Sequence, residues 1–391
     1  MNKQAPVKKE KTSCTEVIFT VMLFIFILLA ITFIALFFVQ KLSPPVETSQ
    51  RQSITTTAKN PPPVDPNYVF ANGVMPTYPT VTDETVQLDE ELYSANAVIV
   101  DVETGKIIAG KNTDKTFVPA SMTKVMTLIV ACEKLKTEDL TKRITLNAYY
   151  NNYNYNGLST WLINGQTFIG DQIEIEKLLY GVGMVSAADC VLMLAEYTYG
   201  SMKNFVAAMN QKAVDLELRN THFGGASGDT PEGNYTTAED MAVIMAYAMQ
   251  NPLICEILST DVLSTYSYKS DGITKRGRLL KSTFYPNGDD DSRMNVYKEL
   301  TGEAFTLKTV RDYFGKTGWL YDLPNPETQE ANYRGSTLVL AATGKTTGKK
   351  YIVVVNLTGS EAYKYQGTTI YKSMALDTMK DIKYLFDTYA S

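Results

Sequence analysis

The feature that most constrains this 391-residue chain is an uncharged apolar run of 23 residues, Val17 to Val39. At 1.5 Å of rise per residue, a helix of this length spans the ~30 Å hydrocarbon core of a bilayer. Four lysines precede the run and only Lys41 follows it closely. The positive-inside rule therefore predicts a cytoplasmic tail at 1–16 and a single-pass anchor in the cell membrane at 17–39. Everything after the anchor is then extracytoplasmic.

Two other interpretations of this run are less favoured. A cleavable signal peptide has an apolar core of about 7–15 residues and a small-x-small cleavage site, whereas this run is longer and no such site follows it. A buried core helix normally shows one polar stripe, whereas this run is apolar all round. We therefore expect the segment to remain uncleaved and to hold the protein on the membrane.

The remainder divides into a spacer and one domain. Residues 40–88 are rich in Pro, Thr and Ser and include Pro61-Pro62-Pro63. This composition is typical of an extended linker. Residues 89–391 carry apolar periodicity throughout and are predicted to form a single catalytic domain.

Strand patterns at both ends of this domain enclose a helical middle. The predicted strands are Ala97–Asp101, Ile107–Ala109, Leu338–Thr343 and Tyr351–Leu357, the last two forming a hairpin. The predicted helices are Ser121–Val130, Ile173–Tyr180, Asp189–Tyr197, Phe205–Leu216, Met241–Met249 with a capping box from Thr236 to Glu239, and Asp377–Tyr389. The pattern predicts an α/β domain with a mostly antiparallel sheet flanked by helices.

Charge and cysteine content exclude several classes of function. The net charge of −5 and pI near 5.2 give no basis for nucleic-acid binding. No two of the four cysteines have metal-ligand spacing, and Cys132 and Cys190 lie in apolar helical contexts typical of small buried residues. Neither a metal nor a cofactor is expected.

Ser121 and Lys124 form the candidate catalytic pair. A serine hydroxyl is a poor nucleophile until a base takes its proton, and the chain has a single histidine, His222. Lys124 follows Ser121 by three residues, so on a helix the two side chains share one face. The start of the helix also favours a developing negative charge on the serine oxygen. These features predict a serine–lysine acyl-transfer enzyme.

The string Pro119-Ala120-Ser121-Met122-Thr123-Lys124 resembles the active-site segment of the D-alanyl-D-alanine carboxypeptidases, the low-molecular-weight penicillin-binding proteins. The resemblance extends from about Ala95 to Asp387 and keeps the family order. It is carried by Leu178-Leu179-Tyr180-Gly181, Ser186-Ala187-Ala188-Asp189, Met209-Asn210-Gln211-Lys212-Ala213, Asn220-Thr221-His222-Phe223, Thr237-Ala238-Glu239-Asp240-Met241 and Gly315-Lys316-Thr317-Gly318.

The resemblance implies a β-lactamase/transpeptidase-like fold and a role for each motif. Lys316, Thr317 and Gly318 would form the strand that binds the terminal carboxylate of the substrate, and Lys316 would be a second cation near Lys124. The backbone N–H groups of Ser121 and Trp319 would form the oxyanion hole. Ser186 would help to relay the proton. The implied partners are peptidoglycan stem peptides as substrate and β-lactams as inhibitors that acylate Ser121.

The second motif departs from the family pattern. The family has Ser-x-Asn, and this chain has Ser186-Ala187-Ala188. In the family the amide contacts both the substrate and the lysine base. Asp189 is expected to begin a helix rather than to replace the amide. Ser94-Ala95-Asn96 has the right letters but precedes the nucleophile, so it is interpreted as a decoy.

Four further patterns are interpreted without a catalytic role. Lys345-Thr346-Thr347-Gly348 is similar to the third motif but lies between two strands and predicts a hairpin turn. His222 is expected to be a packing or surface residue. The tyrosine-rich segment 149–155 and Asp289-Asp290-Asp291 predict solvated loops. The stretches 259–310 and 321–334 look enlarged relative to the family.

The leading hypothesis is a D-Ala-D-Ala carboxypeptidase that removes the terminal D-alanine through an acyl-Ser121 intermediate. One alternative is a non-catalytic or slow penicillin-binding, wall-sensing protein, for which Ala188 argues. A β-lactamase is less favoured, because no Glu-x-x-x-Asn motif for a deacylating water lies between the second and third motifs.

Overall fold

The computed structural model of the chain describes residues 73–89, 91–155, 158–162, 169–228, 233–287, 291–323, 333–358 and 369–390. The predicted tail at 1–16 and anchor at 17–39 lie outside these ranges. All described residues belong to one compact unit, Val64–Ser391. Among them, no single helix has the length and apolar character needed to cross a membrane.

Ten strands form two sheets in the described ranges. In chain order they are β1 (Val86–Gln87), β2 (Asn96–Asp101), β3 (Ile107–Lys111), β4 (Arg143–Thr145), β5 (Gln172–Glu174), β6 (Val262–Tyr268), β7 (Lys275–Lys281), β8 (Val310–Leu323), β9 (Tyr333–Gly344) and β10 (Lys350–Thr358). The larger sheet has the order β1-β3-β2-β10-β9-β8, and the smaller has the order β4-β5-β6-β7. Of these strand pairs only β1/β3 is parallel, so the mostly antiparallel sheet is confirmed.

The helices of the described residues occupy the middle and the end of the chain. They are α1 (Thr123–Lys134), α2 (Ala148–Asn152), α3 (Ile175–Met184), α4 (Ala188–Tyr199), α5 (Met202–Asp215), α6 (Ala238–Ala248), α7 (Pro252–Ser259), α8 (Arg293–Thr301) and α9 (Thr369–Tyr389), with short 3-10 turns at Ala120–Met122 and Thr137–Asp139.

The larger sheet separates two hydrophobic cores because its strands alternate their side chains. Ile352 and Val354 of β10 pack on one face with α1, α3, α4 and α6. Val353 and Val355 pack on the other face with Ile382 and other residues of α9. Successive residues of a strand point to opposite faces, so one apolar run serves both cores. Strand β8 lies at one edge of the larger sheet and carries the predicted third motif, Lys316-Thr317-Gly318.

Several boundaries differ from the sequence prediction: α5 begins at Met202 rather than Phe205, and α9 begins at Thr369 rather than Asp377. Two further differences concern single residues. The sequence predicts a helix from Ile173, but Ile173 lies in β5 and α3 begins at Ile175. The cap of α6 is Thr237, whose side chain accepts a hydrogen bond from Asp240 N at 3.0 Å, rather than Thr236. Both errors arise at short transitions, where periodicity over a few residues is ambiguous.

The end of the predicted spacer packs on the domain. The side-chain amide of Gln250 accepts from Val74 N at 2.7 Å and donates to Val74 O at 2.8 Å. Tyr78 donates its hydroxyl proton to Asp240 at 2.6 Å. Beyond these contacts, β1 pairs with β3. Residues 73–88 of the predicted linker are therefore attached to the domain surface.

Candidate active site

The turn before α1 presents Ser121 at the helix start. Ala120 has a positive φ of 50°, which is uncommon for a residue with a side chain and costs on the order of 1–3 kcal/mol. Two contacts hold this conformation. Thr337 of β9 donates its hydroxyl proton to Pro119 O at 3.1 Å. Gly228 approaches so closely that a Cβ there would lie 1.9 Å from Ala120 O. The strained turn is fixed by neighbours distant in sequence.

Lys124 lies beneath the serine. Its Nζ donates to Ser121 Oγ at 3.0 Å and to Ser227 O at 2.7 Å. The lysine is fully buried, whereas Ser121 is partly exposed. The predicted pairing across one helical turn is therefore present, with the hydroxyl accessible and the amine shielded from water.

Strand β8 brings the third motif against the nucleophile. A Cβ built on Gly318 would lie 2.2 Å from Thr337 Oγ1, 3.0 Å from Ala120 Cβ and 3.1 Å from Ser121 N. Only glycine allows this approach. The hydroxyls of Thr317 and Thr283 are 2.7 Å apart. The structure thus brings Gly318 to the backbone N–H of the predicted nucleophile.

Lys316 carries its amine into the same buried region. The residue is 1% exposed, and Nζ donates to Thr317 O at 2.9 Å. Burial, followed by the charges of Lys124 and Arg293, holds the pKa of Lys316 well below the usual lysine range. Desolvation and neighbouring like charges both disfavour the ammonium form. Three cationic groups therefore act on one another in this part of the site.

Ser186 lies on the turn between α3 and α4 with a positive φ of 61°. Its Oγ is buried and has no hydrogen-bond partner among the described residues, so it bonds neither Lys124 nor Lys316 here. Ala188 is buried, and its backbone N donates to Ser159 O at 2.8 Å. Where the family has the asparagine amide, this protein therefore has the buried methyl group of Ala188, which can neither donate nor accept a hydrogen bond.

The carboxylate of Asp189 binds the backbone of a neighbouring loop. It lies in the first turn of α4, as predicted. Its buried carboxylate accepts from Trp161 N at 3.1 Å and from Leu162 N at 2.7 Å. These bonds attach the segment 158–162 to the second motif.

A family model described as D-alanyl-D-alanine carboxypeptidase, peptidase S11, matches residues 82–286. The chain belongs to this carboxypeptidase family. The matched range includes Ser121, Lys124 and Ser186 but ends before Lys316.

Curated carboxypeptidase relatives resemble part of the chain. DacF of Bacillus subtilis is 31% identical over 211 residues, which are 54% of this chain and 51% of DacF. DacA of Escherichia coli is 31% identical over 203 residues, which are 49% of this chain and 44% of DacA. The chain thus spans about half the length of the curated relatives it matches.

The solved Streptomyces K15 DD-transpeptidase shares the fold. It superimposes with a TM-score of 0.54 at 23% identity, covering 80% of this chain and 98% of that protein. The α/β transpeptidase-like architecture predicted from the sequence is therefore confirmed.

The predicted decoy and the predicted hairpin turn both have structural roles. The Ser94 hydroxyl donates to Asp381 at 2.6 Å, and Asn96 Oδ1 accepts from Asn356 Nδ2 at 2.8 Å. Lys345 to Gly348 form the turn between β9 and β10. Both interpretations are confirmed.

The remaining candidates are also structural where they are described. His222 Nδ1 lies 2.6 Å from Gly233 O, and its ring stacks on Tyr235. Burial raises the pKa of Cys132 and Cys190, which makes both thiols unreactive. The loop predicted for the tyrosine segment is wrong for residues 149–152, which lie in α2, where Tyr149 is exposed and Tyr150 is buried. Asp289 and Asp290 lie outside the described residues.

Sequence reasoning missed Arg293 and Ser227. Arg293 is fully buried and donates from Nη2 to Gly318 O at 2.9 Å. Ser227 contributes only its backbone oxygen to Lys124. Neither residue has a local pattern that would reveal it, because both reach the site through tertiary contacts. Among the residues with described positions, no cluster of three or more His, Cys, Asp or Glu has a metal-binding arrangement.

Proposed function

We propose that this protein is a serine-type D-Ala-D-Ala carboxypeptidase acting on peptidoglycan stem peptides. The observation that carries the proposal is the 3.0 Å contact between the buried Lys124 amine and the partly exposed Ser121 hydroxyl. Three basic side chains, Lys316, Lys124 and Arg293, repel one another here and lower the pKa of Lys316, and a substrate that ends in a carboxylate would relieve that repulsion. Membership of the carboxypeptidase family supports the same reaction.

In the first half-reaction, Ser121 Oγ attacks the carbonyl carbon of the penultimate D-alanine while neutral Lys124 Nζ accepts its proton. The N–H groups of Ser121 and Trp319 donate to the negative oxygen of the tetrahedral intermediate. The C–N bond then breaks, the departing amine receives the proton, and D-alanine leaves. An ester between Ser121 and the shortened peptide remains.

In the second half-reaction, water attacks the ester carbonyl and Lys124 accepts a proton from that water. The C–O bond to Ser121 breaks, the serine oxygen is reprotonated, and the shortened peptide leaves as a carboxylic acid. A β-lactam enters the same route when its ring carbonyl is attacked, with the ring nitrogen as the group released. The proposed location is the outer face of the cell membrane, with residues 17–39 as anchor.

A second candidate is a slow penicillin-binding protein that senses the wall. It is favoured by Ala188, which supplies no amide, and by Ser186 Oγ, which has no hydrogen-bond partner in the described ranges. Lys124 then lacks one neighbour that orients it in the family. Acylation would persist while turnover of peptide would be slow.

The test uses the full-length chain with a fluorescent penicillin and, separately, a peptide ending in D-Ala-D-Ala, with Ser121→Ala as control. Label on the wild type alone, together with release of D-alanine, supports the carboxypeptidase. Stable label without release supports the slow sensor instead. Rapid release of hydrolysed penicillin indicates a β-lactamase. Equal label on wild type and Ser121→Ala, or none on either, refutes the serine–lysine mechanism.

A further inference from the structure

Arg293 begins α8 in the stretch beyond the family match, which ends at residue 286. The backbone fixes its position. Arg293 N donates to Thr283 O at 3.1 Å, and the preceding Ser292 caps the helix by accepting from Asn295 N at 3.4 Å. The side chain is fully buried, so a charged group has been taken out of water at a considerable desolvation cost.

The guanidinium makes two contacts with consecutive residues of β8. Its Nη2 donates to Gly318 O at 2.9 Å. Its carbon lies 3.6 Å from the centre of the Trp319 ring. A planar guanidinium can donate in its plane and stack through its face at once, which a lysine ammonium cannot do.

The carbonyl bound by Arg293 belongs to the peptide unit that links Gly318 to Trp319, whose N–H is an expected oxyanion donor. Gly318 C=O and Trp319 N–H are the two ends of one peptide unit, which is planar and trans, so they point in opposite directions. Fixing the oxygen therefore fixes the direction of the N–H. A charge-assisted hydrogen bond to the oxygen also polarises the unit and strengthens its N–H as a donor.

We propose that Arg293 is the positioning residue of the oxyanion hole: it orients and polarises the peptide unit whose Trp319 N–H stabilises the tetrahedral intermediate. This inference rests on the proposed function, which assigns that N–H its role. A Cβ on Gly318 would lie 3.1 Å from Ser121 N, so the Gly318 end of this peptide unit lies beside the other expected donor. The guanidinium of Arg293 contacts Gly318 O and the Trp319 ring, so it acts on the site through β8.

The test compares Arg293→Met and Arg293→Lys with Arg311→Met in the full-length chain. Arg311 is exposed near the start of β8 and pairs with Asp312, so its variant controls for the loss of one positive charge near the site. Stopped-flow acylation by a chromogenic β-lactam separates the affinity of the first complex from the rate constant of acylation. Thermal unfolding of each variant checks the fold.

Arg293→Met is expected to lower the acylation rate constant about 10–100-fold, less than the ~10²–10³ lost with a whole oxyanion donor, because the N–H remains but is no longer held. The affinity of the first complex should stay within about threefold. Arg293→Lys should fall between Met and wild type, and Arg311→Met should match wild type.

An acylation rate constant within about twofold of wild type in Arg293→Met overturns the proposal, as does a loss of initial affinity that accounts for the whole effect. If Arg293→Met does not fold, Arg293→Lys decides, and a wild-type rate there overturns the proposal. Failure of the proposed function is distinguishable, because the wild type itself would then show no acylation that depends on Ser121.

Discussion

Two segments of the larger sheet share nearly the same letters and have opposite environments. Lys316-Thr317-Gly318 lies within β8, and Lys345-Thr346-Thr347-Gly348 forms the turn between β9 and β10. Lys316 is 1% exposed, whereas Lys345 is exposed and donates to Leu307 O and Lys308 O. Lys316 pairs with Val339, five residues before Gly344, so about 17 Å of strand separates the two segments.

The two segments differ in role because only Lys316-Thr317-Gly318 lies beside the nucleophile. At Gly318 the missing side chain lets β8 reach Ser121 N. At Gly348 the missing side chain permits a positive φ of 71° in open space. The first glycine serves close approach and the second serves backbone conformation, which are separate physical demands met by one residue type.

The largest expected effect separates the two lysines. Lys316→Met should lower the rate of β-lactam acylation about 10³-fold, because it removes the cation expected to bind the substrate carboxylate and to lie beside Lys124. Lys345→Met should keep the rate within about twofold and lose at most about 1–2 kcal/mol of stability through its backbone contacts. The measurement is labelling by fluorescent penicillin over time. Equal losses in both variants would contradict the assignment of the third motif to 316–318.

The two glycines give the next effect. Gly318→Ala should lower acylation about 10²-fold, because its Cβ would meet Thr337 Oγ1 at 2.2 Å and push β8 away from Ser121. Strain of about 1–3 kcal/mol should accompany the loss.

Gly348→Ala is the matched control. It should cost about 1–2 kcal/mol through its positive φ and leave acylation intact. Urea denaturation and acylation rates measured on both variants test the contrast. A Gly318→Ala variant that keeps the wild-type rate would show that β8 can yield without affecting the site.

Some features of the site could be predicted from the sequence, and others could not. Ser121 and Lys124 were predictable because a helical turn sets their spacing. The third motif was chosen by its order along the chain, and the structure brings its Gly318 beside Ser121 N. Arg293 was not predictable, because its contact with Gly318 depends on how α8 packs beside β8. The same is true of Thr337, whose hydroxyl holds Pro119 O from 218 positions away.

The smaller sheet was missed for a related reason. Strands β4 and β5 have three residues each, too few to show a period. Strands β6 and β7 lie in the stretch that appeared only as an enlarged segment, and they are rich in polar and charged residues. Such segments form strands because they pair with strands distant in sequence, and this pairing cannot be predicted from local β-propensity.

The smallest effect concerns stability and pH, and it separates the two lysines again. The pKa of Lys316 is lowered in the folded protein by burial and by Lys124 and Arg293. Between that lowered pKa and the ordinary lysine value near 10.4, the unfolded chain binds a proton at this position that the folded chain does not. Stability therefore rises with pH across this window, by at most about 1.4 kcal/mol per pH unit. Below the window both states are protonated, and the full cost of the buried charge remains.

Lys316→Met removes this titration, so the unfolding free energy of wild type minus that of the variant should increase with pH through the window. Lys345→Met keeps Lys316 and should retain the wild-type slope. Urea unfolding from pH 6 to 10 on the three proteins measures the difference. Parallel pH curves for wild type and Lys316→Met would mean that Lys316 titrates alike in both states, and the buried cation would then differ from the exposed one in position alone.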